Sequence, residues 1–140
     1  MNCKLYCTLP EDAIYIRKTV FMKEQGFCEE FDDLDEVSKH VVLYEEEVPI
    51  STCRFYWDNA RQCYIVGRIA VVKEHRGKSY GAAVLREAEQ QIKKAGGEKI
   101  CLAAQVQAAG FYEKQGYTAA GEVFYEEHCP HIWMYKNLEQ

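Results

Sequence analysis

Long apolar runs are missing from this 140-residue chain, and so is any excess of positive charge. No stretch of about 18 apolar residues occurs, so no membrane-spanning helix is expected. Seventeen Lys and Arg stand against 22 Asp and Glu, a net charge of −5. A dedicated nucleic-acid binder carries the opposite balance, so nucleic acid is not an expected partner. Prolines occur only at 10, 49 and 130, and no repeat, low-complexity run or Pro/Gly/Ser linker interrupts the chain. Residues 1–140 therefore read as one domain, too short for a TIM barrel of about 250 residues. Lys4 leads into polar, acidic sequence, so no secretory leader is expected and the expected location is the cytoplasm.

Metal-ligand spacing is also missing. Cysteines stand at 3, 7, 28, 53, 63, 101 and 129, an odd number with no CxxC pair. A structural zinc site needs four grouped Cys or His ligands, so the expectation is reduced thiols, several buried as small hydrophobes, and no metal. Neither GxxxxGK[ST] nor GxGxxG occurs, which argues against a P-loop and against a dinucleotide-binding fold.

What is present is an alternation of strands and helices. Residues 3–8 alternate as a short strand. Thr8, Pro10 and Glu11 suggest a capping box opening a helix that buries Ala13, Ile16 and Val20, runs to about Gln25 and stops at Gly26. An acidic, irregular stretch fills 27–39. Strands are expected at 40–45, 48–57 and 62–72, the last rich in β-branched residues. Gly81, Val84, Leu85, Ala88, Ile92 and Ala95 mark one helical face, ended by Gly96-Gly97. A short strand at 99–104, a short helix at 107–115 and strands near 118–126 and 132–138 complete an α+β chain.

The most informative stretch joins the strand ending at Val72 to the helix after Gly81. It holds Arg76, Gly77, Lys78, Ser79, Tyr80, Gly81 and Ala82. The first N–H groups of a helix are unpaired and lie at the positive end of its dipole, which makes an anion site. Glycine permits close backbone approach, and Arg76 and Lys78 add charge. These features predict a pyrophosphate held at 76–82; the competing reading is a tight basic turn between strand and helix.

This stretch resembles the acetyl-CoA signature of the GNAT superfamily of N-acetyltransferases, Arg/Gln-x-x-Gly-x-Gly/Ala, standing here as Arg76-Gly77-Lys78-Ser79-Tyr80-Gly81. Ser79 replaces the first family glycine. Its Cβ penalises a positive φ or a close phosphate, while its hydroxyl offers a donor. About thirty residues on, Ala108-Ala109-Gly110-Phe111-Tyr112-Glu113-Lys114-Gln115-Gly116-Tyr117 resembles the family's A-x-x-F-Y-x-x-x-G-[FY] helix. Residues 20–27, 30–35 and His40, with Cys129-Pro130-His131-Ile132-Trp133-Met134, resemble the ElaA/YjcF-type subgroup.

The resemblance implies a central mixed sheet, splayed in the middle, with helices on both faces. It implies acetyl-CoA as co-substrate and a small-molecule amine or amino sugar as acceptor, attacking the thioester directly. It assigns the pantetheine to the strand backbone at Ile69, Ala70 and Val71 and the pyrophosphate to 76–82. It gives the oxyanion to the Val71 N–H and the departing thiolate to Tyr112, for which the plainer role is a packing aromatic beside Phe111. A phenol of reference pKa about 10 suits a thiolate of about 8.5, more so where neighbours lower it. Candidates for the base are the acidic stretch 29–36, His40, Glu122 and His131, with ordered water as the alternative. The acidic excess could instead attract a cationic amine through its field. A homodimer is the family-based guess. A non-catalytic acyl-CoA-binding or partner-binding module and a protein-lysine acetyltransferase are the rival readings.

Overall fold

A computed structural model describes residues 1–139. Strand β1 (Asn2–Tyr6) is followed by helix α1 (Glu11–Arg17), which continues as a π-helical segment over Lys18–Glu24. Pro10 caps α1 with no side-chain hydrogen bond, so the expected Thr8/Glu11 capping box does not form: Thr8 lies too far back from the helix start. The π-helical turn closes with the Gln25 N–H donating to the Val20 carbonyl at 3.1 Å, and Gly26 then turns away at φ +78°.

A short helix, α2 (Leu34–Val37), interrupts the acidic stretch. Strands β2 (Lys39–Glu45), β3 (Val48–Asp58) and β4 (Cys63–Val71) form an antiparallel meander. Helix α3 (Tyr80–Lys94), strand β5 (Lys99–Gln105) and helix α4 (Ala109–Lys114) follow. The strand expected across 118–126 is two short pieces, β6 (Thr118–Ala119) and β7 (Phe124–Glu126), parted at Gly121 where φ is +91°. Strand β8 (Cys129–Asn137) ends the sheet.

The order is β1-β2-β3-β4-β5-β8-β6, with β7 beside β8. Among the described residues only β4 and β5 run parallel, as a strand–helix–strand crossover through α3 requires. One face packs Val84, Leu85, Ala88 and Ile92 of α3 against Val41, Phe55, Val66, Leu102 and Met134. The other packs Ala13, Ile16, Val20 and Phe21 against Val42, Tyr44, Ala70 and Val72. Helices thus cover both faces.

Two irregularities open the middle of the sheet. The parallel pairing of β4 with β5 covers only Tyr64↔Ile100 and Ile65↔Cys101, after which the strands part. Along the same stretch β4 carries a bulge against β3: Arg54 pairs with Gly67 but Thr52 with Ala70, one extra residue on β4, and Arg68 takes φ +54° there. A bulge of this kind bends the strand and raises its local twist, which carries β4 away from β5.

Candidate active site

Where β4 and β5 diverge, a cavity of about 550 Å³ passes through the sheet. Ile69 and Gly67 border it from β4, Ala103 and Gln105 from β5, and Tyr112 from α4. Phe21, Gln25, Phe27 and the acidic stretch line it after α1, and Glu126, Glu127, His131 and Trp133 line it from the β7–β8 hairpin.

The strand backbone presents alternate groups to this opening. The Val72 N–H donates to the Ile50 carbonyl at 3.0 Å, so Val72 and Ala70 direct their backbone toward β3. Ile69 and Val71 direct theirs toward the gap. Of the three strand residues expected at the cofactor, Ala70 is therefore a buried packing residue between two that face the opening. The Val71 carbonyl already accepts from Arg76 Nε at 3.0 Å.

Arg76 differs from its expected posture. Its Nη1 and Nη2 donate to Glu24 at 2.5 and 2.7 Å, tying the end of the π-helical segment to the loop. The hydrogen bond and charge of Glu24 push the guanidinium pKa up, and the same contact lowers Glu24. Lys78 is exposed. Gly77 takes φ +81° and Ser79 φ +65° with no side-chain cap bond, and α3 begins at Tyr80. The N–H groups of Tyr80, Gly81 and Ala82 are thus the first-turn donors of a 15-residue helix. The Tyr80 hydroxyl donates to Glu45. A Cβ on Gly81 would meet Phe111 Cζ at 3.4 Å and Val71 Cγ2 at 3.5 Å, so glycine here lets loop, strand and α4 close together. Unpaired strand N–H groups, an unsatisfied helix start and an open channel between them fit an extended ligand ending in phosphates.

Tyr112 packs edge-on against Phe111 and Tyr117 at 5.0 and 6.1 Å, and among the described residues its hydroxyl has no hydrogen-bond partner. Burial, with the Cys53 thiol nearby, pushes the phenol well above its ordinary pKa rather than lowering it. Tyr112 therefore stays protonated and can donate a hydrogen bond into the cavity.

The acidic stretch is not the solvated face that an acidic run usually forms. Arg17, only 1% exposed, donates from Nε to Glu30 at 2.9 Å and from Nη1 to Asp35 at 2.7 Å. Arg54 bridges Asp32 at 2.6 Å and Asp35 at 2.9 Å. Arg68, at the bulge, reaches Glu30 and Asp32. Three arginines thus compensate three carboxylates. Burial alone would raise Asp35, but its bonds to Arg17 and Arg54 hold it down at about 2. Burial lifts Glu30 above its ordinary value against the pull of Arg68 and Arg17. His40 joins this cluster, its Nε2 donating to the Asp35 carbonyl at 3.0 Å, and burial lowers its pKa. Sequence reasoning missed these arginines. Arg17 sits on the same helical face as Ala13 and Ile16, and a charge on an apolar stripe is a signal for a buried partner.

Glu29, Glu126 and Glu127 line the cavity without a cationic Lys or Arg partner among the described residues. Glu127 instead accepts from the Cys28 and Glu29 N–H groups at 2.9–3.1 Å, tying the 27–29 loop to the β7–β8 turn. Glu122 is exposed and away from the cavity lining. Burial pushes the Cys63 thiol up to about 12 and Cys53 higher, which argues against a cysteine nucleophile. Among the described residues no group of three His, Cys, Asp or Glu is arranged to hold a metal, and no helix is long and apolar enough to cross a membrane.

The family model for the acetyltransferase (GNAT) domain matches residues 10–138. The chain belongs to the GNAT acetyltransferases. This GNAT chain is 35% identical over 130 residues to the uncharacterized N-acetyltransferase YjcF of Bacillus subtilis strain 168, covering 91% of each. The Escherichia coli ElaA structure superposes with a TM-score of 0.85 at 20% identity, covering 96% of this chain and 98% of that one. An aminoglycoside 6′-N-acetyltransferase solved with coenzyme A superposes at 0.77 and 15% identity, covering 98% and 97%. These two show the shared GNAT fold, and the splayed pair β4/β5 is where the expected opening lies.

Proposed function

We propose that this GNAT enzyme, read as one domain over residues 1–140, transfers the acetyl group of acetyl-CoA to the primary amine of a small molecule by direct attack. The observation that carries the acceptor class is the uncompensated carboxylate rim, Glu29, Glu126 and Glu127, at the end of the channel away from α3. An ammonium group is attracted there, and neutral or anionic acceptors are not.

The first-turn N–H groups at Tyr80–Ala82, with the backbone of Gly77, Lys78 and Ser79, hold the pyrophosphate, and Lys78 adds charge. Arg76 acts mainly by fixing the loop to Glu24. The backbone of Ile69 and the Val71 carbonyl pair with the pantetheine arm as an added strand would. The thioester supplies an activated acetyl group. The Val71 N–H stabilises the oxyanion as it develops. Tyr112, kept protonated by its burial, donates to the departing sulfur and lowers its charge without giving up its own proton.

Release of free thiol in the presence of a panel of diamines, amino sugars and amino acids tests the acceptor class. Cationic amines should turn over best, and preference for a zwitterion or an anion would overturn the reading. Tyr112→Phe should lower kcat about 100-fold, as loss of one transition-state donor does, with calorimetric affinity for coenzyme A unchanged. Lys78→Glu tests the phosphate loop and should weaken that affinity. It is a cleaner probe than Gly81→Glu, whose side chain would also disturb Phe111 and Val71.

A further inference from the structure

An acceptor held as an ammonium must lose a proton before its nitrogen can attack, and the cavity wall offers few groups to take it. Glu30, Asp32 and Asp35 are spent on arginines. His40 is sealed inside that cluster. His131 remains, 5% exposed and on the cavity wall.

Its setting is specific. His131 stands opposite Gln105 at the end of β5, and Trp133 opposite Ala103, so these four share the face that borders the cavity. The ring stacks on Phe124 at 5.9 Å and 28°. Nδ1 lies 3.0 Å from the Cys129 carbonyl. A carbonyl only accepts, so Nδ1 carries the hydrogen and Nε2 carries the lone pair. Nε2 is 3.6 Å from Glu126 Oε2, too long for a good hydrogen bond to a neutral ring but within ion-pair reach of an imidazolium.

We infer that His131 Nε2 is the proton acceptor for the substrate amine and that Glu126 is its positioning partner, stabilising the imidazolium. The inference rests on the amine-acceptor reading above. The ammonium gives one proton to Nε2. Its lone pair forms the C–N bond as the C–S bond breaks, and the second nitrogen proton ends on the departing sulfur. The acetamide, coenzyme A thiol and imidazolium account for every proton, and solvent then discharges the ring. Other charges face this group. Glu127 from the same turn and Glu29 from the opposite loop favour the imidazolium, whereas Arg54 and Arg68 from β3 and β4 are already paired. Tyr112, from α4, stays neutral. Glu29 is the rival base, but a carboxylate is a far weaker proton acceptor near neutrality than an imidazole.

His131→Gln keeps a donor for the Cys129 carbonyl. It should lower kcat at pH 7 by about 10²- to 10⁴-fold, with coenzyme A affinity within threefold of wild type. The limb of the pH–rate profile that rises through the imidazole pKa should disappear. Glu126→Gln, at an exposed position of the same rim, should raise KM for a cationic amine and lower kcat by less than His131→Gln does, with coenzyme A affinity within threefold of wild type. Nitrogen NMR reads the same group without turnover. The ring should be the Nδ1–H tautomer, and its Nε2 resonance should move in Glu126→Gln. A His131→Gln enzyme within threefold of wild type and with an unchanged limb would overturn the assignment, as would an Nε2 resonance indifferent to Glu126. If wild type binds coenzyme A but acetylates no amine, the acceptor reading fails instead, and the Nε2 resonance still decides the His131–Glu126 pairing.

Discussion

Glu29 and Glu30 are neighbours in sequence and opposites in environment. Glu30 is buried between Arg17 and Arg68, and with Asp32, Asp35 and Arg54 it belongs to a cluster in which each carboxylate meets a guanidinium. Glu29 is exposed on the cavity rim with Glu126 and Glu127 and, among the described residues, meets no Lys or Arg. The compensated set fixes a loop to the sheet. The uncompensated set leaves a net negative field at the proposed acceptor site. Carboxylates of one short segment thus separate into a paired, buried set and an unpaired, exposed one by whether an arginine reaches them.

The largest effect should come from breaking the compensated set. Arg17→Ala leaves Glu30 and Asp35 buried with too little positive charge and should cost about 3–5 kcal/mol in urea unfolding. A loss under about 1 kcal/mol would place Arg17 outside the scaffold. Acid should reach the same set more gently. The depressed pKa of Asp35 contributes stability above its unfolded value near 3.8 that is lost as pH falls toward 2. About 2 kcal/mol should disappear over that window, and Asp35→Asn should remove this dependence. The raised Glu30 works in the opposite sense and trims the total.

The rim should respond in kinetics and not in stability. Glu29→Gln should raise KM for a cationic amine about 3- to 10-fold, leave unfolding within about 0.5 kcal/mol, and lose much of its effect in high salt. A salt-independent effect would mean a direct contact in place of a field. Smallest is Ser79→Gly. It relieves a left-handed serine worth about 1–2 kcal/mol but loosens the unfolded chain, so Tm should change by only a few degrees.

The same contrast separates what the sequence makes legible from what it hides. Periodic apolar residues place α3 and the meander, and the loop at 76–82 with the helix at 107–115 places both halves of the proposed cofactor channel. The division of labour within the acidic stretch is hidden. Arg17 lies 18 residues from Asp35, and Arg68 lies 38 from Glu30, so no local pattern joins them. The π-helical turn after Arg17 is equally hidden, because its apolar residues continue the spacing of an ordinary helix. Arg76 belongs to the loop as expected, but its pairing with Glu24, 52 residues away, exists only in three dimensions.

The extra residue at the β4 bulge has a consequence for parity. Ahead of it, Val66 points into the α3 core and Ile65 to the opposite face. Strict alternation would send Ala70 and Val72 to the α3 side as well, yet both pack against α1, while Ile69 packs with the α3 core and Val71 touches the Gly81 position from that side. One residue out of step exchanges inside and outside for the rest of the strand, and it turns the backbone amides of 69 and 71 away from β3 at the same stroke. Deleting Arg68 would therefore do more than remove a charge. It would return β4 to unbroken alternation with Ile69, Ala70, Val71 and Val72 on the faces they hold now, and it would take away the bend that carries the strand off β5 and opens the channel.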